Sequence, residues 1–154
     1  MTIPANPVSR ADELARAVTA RLAGITVAGG YLTDIGARVF RGRLRLDHHA
    51  LPCCVLVEGE DRLLNAGARH EVKLTLPLLV EGHAACDPNN PNDAAHAIIA
   101  DLKRALFAEP ANLAGLAREI RYAGRSIGAR EDGLAQVSAV VEIEVDYVEN
   151  LRAP

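Results

Sequence analysis

Histidine and cysteine side chains are the first candidates for chemistry in this sequence. His48, His49, Cys53 and Cys54 fall in one short stretch, and His83, Cys86 and Asp87 form a second, looser group. Imidazole and thiolate are zinc ligands, but structural zinc usually takes paired ligands separated by two to four residues. Here each pair consists of direct neighbours. On a strand, Cys53 and Cys54 would point to opposite faces and could not reach one ion. A complete site needs a fold that carries His83 and Cys86 to His48 and His49. The simpler reading makes one of the adjacent cysteines a small core residue and leaves the histidines in a polar turn.

Nucleophilic catalysis requires a nucleophile, a base and an orienting group in contact. Cys86 near His83, or Ser126 near a histidine, has the residue types. Neither sits in an elbow such as Gly-x-Ser-x-Gly. Glu58, Glu60 and Asp61 could share general acid and base roles, but they fall in a turn, where solvated carboxylates are usual. Gly29 to Gly36 is glycine-rich, yet no Lys-Ser or Lys-Thr pair follows and no glycine triplet opens a helix. It reads as a loop that repositions the chain. The expectation is a non-enzymatic protein with no metal, no cofactor and no disulfide. The alternative is a small metal-dependent enzyme, or a stand-alone binding domain, using His48, His49, His83 and Cys86.

Charge patterning is more informative. Arg41, Arg43 and Arg45 alternate along one candidate strand, and Glu142, Glu144 and Asp146 along another. Each stripe repels itself if left alone, and the two are complementary. They are either cross-strand neighbours within one molecule or partners across a subunit boundary. In the second case opposite charge fixes register and suppresses wrong partners. Arginine suits that role because its planar fork binds carboxylates bidentately.

The chain that must position these residues has 154 of them, which favours one domain. A chain of that size buries about 68–70% of its unfolded surface. Aromatics are only 3%, with no Trp, so Ala, Val, Leu and Ile must fill the core. The net charge of −3 gives no basic footprint for nucleic acid. An odd count of three cysteines, two adjacent, is no disulfide framework and suits a reducing cytoplasm. No signal peptide is expected from Met1 to Ser9, and no apolar run is long enough to span a membrane.

One stretch anchors the fold. Val72, Leu74, Leu76, Leu78 and Val80 recur at every second position, the period of a long strand with one apolar face. Cys86 to Asp93 is a turn, and a helix follows over Ala94 to Phe107. Asn90 is its expected N-cap, and Pro91 takes the first helical position. Ala95, Ile98, Ile99, Leu102, Ala105 and Leu106 form its buried stripe. Pro77 cannot donate to a ladder and should sit at a bulge or an unpaired edge.

Elsewhere, Met1 to Val8 reads as an extended lead-in. A first helix runs from Arg10 to Ala23, capped by Ser9, with Leu14, Ala17, Val18 and Leu22 buried. Ala37 to Leu46 reads as a strand and Asp47 to Pro52 as a turn. Cys53 to Glu58 is a short strand, and Arg62 to Ala68 a loop or hairpin tip. Leu113 to Ala117 reads as one helical turn. Arg118 to Arg130 is a strand with Ile120 and Tyr122 on one face, and Glu131-Asp132-Gly133 a turn. In the last strand, Gln136 to Val148, Val137, Ala139, Val141, Ile143, Val145 and Tyr147 share a face. Glu149 to Pro154 reads as frayed. Short connections favour antiparallel pairing. The expected class is α+β: a two-layer, mostly antiparallel mixed sheet with two main helices packed on one face.

Three segments carry a resemblance. They are Gly30-Tyr31-Leu32-Thr33-Asp34-Ile35-Gly36 with Val39-Phe40-Arg41-Gly42-Arg43, Val80-Glu81-Gly82-His83 through Asp87-Pro88-Asn89-Asn90-Pro91-Asn92-Asp93, and Gly124-Arg125-Ser126-Ile127-Gly128-Ala129-Arg130. Over about residues 9 to 150 the chain resembles the tail-terminator, or tail-completion, proteins of tailed bacteriophages and prophages, the minor tail protein U-like group. The likeness lies in texture and element order, because that group has no catalytic signature. It implies a small α/β fold with helices on one side of a sheet. It further implies a ring homo-oligomer, commonly a hexamer, whose partners are the tail tube protein and the head-tail connector protein. The protein would then belong to the virion tail, assembled in the bacterial host cytoplasm, with no membrane and no sequence-specific nucleic acid as partner.

Overall fold

A computed structural model describes residues 8–42, 45–46, 50–129 and 133–154. The expectations placed on the lead-in 1–7, on Arg43, on His48 and His49, and on 130–132 lie outside the described residues. Helix α1 spans Arg10–Ala23 and helix α2 spans Pro91–Leu106. The strands are β1 (Val39–Arg41), β2 (Cys53–Glu58), β3 (Arg62–Asn65), β4 (Glu71–Ala85), β5 (Glu119–Ile127) and β6 (Gln136–Asn150). They form one six-stranded mixed sheet in the order β1-β2-β4-β6-β5, with β3 added to β4 beside β2. This is the expected α+β arrangement, with two helices against one face of a sheet.

The long strand organises the sheet. β4 pairs with β6 over its whole length, from Glu71 opposite Asn150 to Ala85 opposite Gln136. On its other side it pairs first with β3 and then with β2. Pro77 sits where those two partners change over. Its carbonyl accepts from the Gly59 amide at 2.9 Å, so the side that lacks a donor faces the gap between β2 and β3. A side chain at Gly59 could not exist there, because a Cβ would lie 2.8 Å from the Pro77 ring.

Alternate residues of β4 and β6 build the core. Leu74, Leu76, Leu78 and Val80 meet Tyr147, Val145, Ile143 and Val141 across the ladder, all buried. The α2 stripe of Ala95, Ile98, Ile99, Leu102, Ala105 and Leu106 closes over them. Gly82 lets the helix approach, since a Cβ there would stand 2.3 Å from Ile98 Cγ2. In α1, Leu14, Ala15, Val18 and Leu22 are buried, and Ala17 packs at the core's edge. The α1 cap is as expected: Ser9 Oγ accepts from the Asp12 amide at 3.2 Å.

Several expectations are corrected. Among the described residues of the strand drawn from Ala37 to Leu46, β1 alone is strand, because Ile35–Ala37 is a 3-10 turn and Gly42 at φ +66° leaves the extended conformation. β1 pairs parallel to β2, within the expected mostly antiparallel mixed sheet. Of the two readings of Arg62 to Ala68, the hairpin into the long strand is the one found, with β3 as its first strand. α2 begins at Pro91 after Asn90, as the expected cap and first helical position have it, so its first turn precedes Ala94. Leu113 to Ala117 is no helical turn: Leu113, Ala114 and Gly115 all have positive φ, which turns Leu113 and Ala117 into the core. β6 runs to Asn150, and the Leu151 amide donates to the His70 carbonyl at 2.8 Å, so the chain is held past Val148.

Candidate interaction face

The other face of the sheet carries no described helix. Its side chains fall in cross-strand rows. Cys53, His83 and Ser138 form one row, and Val55, Glu81, Val140 and Ser126 the next. Val57, Leu79, Glu142 and Gly124 follow, then Gly59 and Pro77 beside Glu144 and Arg121. The last row is Arg62, Thr75, Asp146 and Glu119. A register shift between Tyr122 and Gly124 keeps β5 in step. It puts Glu119 and Arg121 on this face before the bulge and Gly124 and Ser126 after it.

Two kinds of surface share the face. The first is a fixed charge network. Arg121 donates to Glu144 at 3.1 Å and to both Asp146 oxygens, one of them at 3.0 Å. Thr75 Oγ1 donates to Asp146 at 2.6 Å, and Arg62 pairs with Glu144. Burial alone would raise the Asp146 pKa, but the hydrogen bonds from Arg121 and Thr75 outweigh it and hold the carboxyl below its usual range. Hydrogen bonds from Arg62 and Arg121 do the same for Glu144. The second surface is an apolar hollow of about 310 Å³. Val57, Pro77, Leu79 and Ala123 line it, and Glu142 and Glu144 stand at its rim.

Among the described residues, the arginine stripe does not meet the carboxylate stripe, and β2 and β4 separate β1 from β6. Arg41 instead bridges Asp12 and Glu58, each at 3.0 Å, and ties β1 to α1 and β2. Arg45 is exposed beyond the end of β1. Of the acidic stripe, Glu144 and Asp146 are taken by Arg62 and Arg121. Glu142 has no ion-pair partner among the described residues.

The histidine and cysteine candidates are only partly gathered. His83 lies within β4, in register with Cys53, and its Nε2 is 3.1 Å from Glu81. Cys54 turns to the opposite, helix-covered face and joins the core, where burial pushes its thiol far above the usual range. Cys53 is also buried. Cys86 is half-buried beyond the end of β4, with its Sγ against the Leu134 carbonyl at 3.8 Å. No group of three or more metal-binding side chains assembles among the described residues.

Sequence reasoning missed two important groups. Arg121 and Arg62 hold Glu144 and Asp146 of the acidic stripe. Asp101 is buried on α2 and accepts from the Leu32 amide at 3.0 Å, the Thr33 amide at 2.7 Å and Thr33 Oγ1 at 2.6 Å. Arg104 adds a bond to the Gly30 carbonyl at 2.7 Å, so the glycine-rich loop is latched along α2. The signal was available: Asp101 follows Ile98 by three, inside the apolar stripe.

No protein-family model matches the sequence, and no curated protein matches it. Among the described residues, no helix is long and apolar enough to cross a membrane.

Proposed function

We propose that this chain is a non-enzymatic virion assembly protein. It forms a ring that terminates the tail tube of a bacteriophage or prophage and joins it to the head-tail connector. The resemblance in the segments Gly30 to Arg43, Val80 to Asp93 and Gly124 to Arg130 suggests this reading. The observation that carries it is the open sheet face, where a held charge network lies beside an apolar hollow. Helices satisfy one face of the sheet, and the other keeps both polar register and apolar area for a protein partner. A ring follows where one patch meets a different patch on the next copy and the rotation closes. The tail tube protein and the connector are then its partners, and host cytoplasm its place of assembly. Electron microscopy of the purified protein mixed with tail tubes tests this. Rings seated on tube ends are expected; bare ends in the presence of excess protein would contradict it.

A second reading is a small metal-dependent enzyme. The contact between His83 and Glu81, in register with Cys53, is the observation in its favour. Stoichiometric zinc or iron in the purified protein would support it over the first.

A further inference from the structure

The chain between Glu58 and Glu71 is exposed throughout and forms an arm at one end of the sheet. β3 is its ordered part. Leu63 is 62% exposed and Leu64 58% exposed, and the register shift between Leu63 and Asn65 puts Leu64 at a bulge in the strand. β3 pairs only with β4, so its outer edge has no strand beside it among the described residues. Two adjacent bare leucines on an edge strand are an association surface unless something covers them.

The arm is not loose chain. Its base is held by the Arg62–Glu144 pair and by Tyr147, whose hydroxyl lies 3.3 Å from Asp61 Oδ2. At its tip Asn65 Oδ1 accepts from the Gly67 amide at 3.2 Å, and the Ala68 carbonyl accepts from Glu71 at 3.0 Å. A surface already in place loses little conformational freedom on docking.

The arm carries Glu60 and Asp61 at its base, Arg62 paired with Glu144, and Arg69 towards its tip. The hollow on the open face is apolar with an acidic rim. Arg69 on the arm and Glu142 on the rim each lack an ion-pair partner among the described residues. The two surfaces cannot meet within one chain. The chain leaves the hollow at Val57 and Gly59 and then pairs Arg62 with Thr75 and Asn65 with Lys73. It therefore moves away from Leu79 along β4.

We propose that the β3 arm of one copy docks in the open-face hollow of the next. Leu63 and Leu64 lose their exposure there, against Val57, Pro77 and Leu79, and Arg69 faces Glu142. The contact joins two different patches, so it propagates head to tail and closes into a ring when the rotation allows. It rests on the ring reading above and supplies its subunit interface.

Two measurements test it. Chains carrying Leu64→Cys and chains carrying Leu79→Cys, both with Cys86→Ser, are mixed at high concentration and oxidised. The expected product is the mixed cross-linked dimer. Its absence, or Leu64 pairing only with Leu64, overturns the proposal. Sedimentation of the full chain then compares charge reversals. Arg69→Glu or Glu142→Arg alone should weaken association on the order of tenfold, and the double reversal should restore most of it. Equal weakening in the double variant would overturn the pairing. Rings on tail tubes without the cross-link overturn the arm contact and leave the ring reading standing. Cross-linked chains that never close into rings keep the contact and overturn the ring.

Discussion

Leu78 and Leu79 are neighbours on β4 with different surroundings. Leu78 points beneath α2, is 1% exposed and faces Ile143. Leu79 points the other way, is half-buried and faces Glu142 across an open hollow. The same comparison holds along the strand and along β6. One set of alternate residues meets helices and forms a close-packed core. The other carries no described helix, and at one end it meets Glu144 and Asp146, fixed by Arg121 and Arg62. Folding free energy therefore resides mostly on the first face, and the second is free to serve contact.

Truncating the two leucines sharpens the comparison most. Leu78→Ala should cost about 2–5 kcal/mol by leaving a cavity in a packed core. Leu79→Ala should cost less than about 1 kcal/mol, because solvent already reaches that side chain. Urea unfolding of both variants checks this; equal losses would mean that something covers the open face in the isolated chain.

Asp101→Ala comes next. It removes the acceptor for three donors, two of them backbone amides, and should cost about 2–3 kcal/mol. Amide exchange should speed up at Leu32 and Thr33 while the β4–β6 ladder stays protected. Uniform acceleration would show instead that the loop latch and the core unfold as one unit.

The charge network should have a smaller effect with a definite pH dependence. The Asp146 and Glu144 pKa values are depressed in the folded chain, so the unfolded chain binds more protons in acid. Their contribution is complete above about pH 5 and is lost as pH falls below about 4. Arg121→Ala should cost about 1–2 kcal/mol at neutral pH, because the Arg121 side chain is 35% exposed and screened by water. The variant should also lose less stability than wild type between pH 5 and pH 3. Parallel pH curves would place the acid sensitivity elsewhere.

The helix-covered face was legible in the sequence because hydrophobic periodicity reports burial directly. The α2 stripe and the alternate residues of β4 and β6 needed no tertiary information. The open face was legible only as a list of charges. Its partners come from strand order, and β2 and β4 intervene between β1 and β6. Arg121 gave no signal on its own, because its role depends on pairing opposite Glu144. Gly42 ended β1 through a positive φ that alternation of Arg41, Arg43 and Arg45 does not reveal. The left-handed turn at Leu113 and Ala114 runs against the helical propensity of both residues, and it leaves Leu113 buried and Ala114 exposed.

Side-chain footprinting of the free chain and of the assembled form, read residue by residue, tests the division of the two faces most directly. On assembly, labelling should fall at Leu63, Leu64, Pro77 and Leu79 and stay unchanged on the exposed sides of α1 and α2. Protection confined to the helices, with Leu79 and the β3 arm labelled as before, would contradict the account.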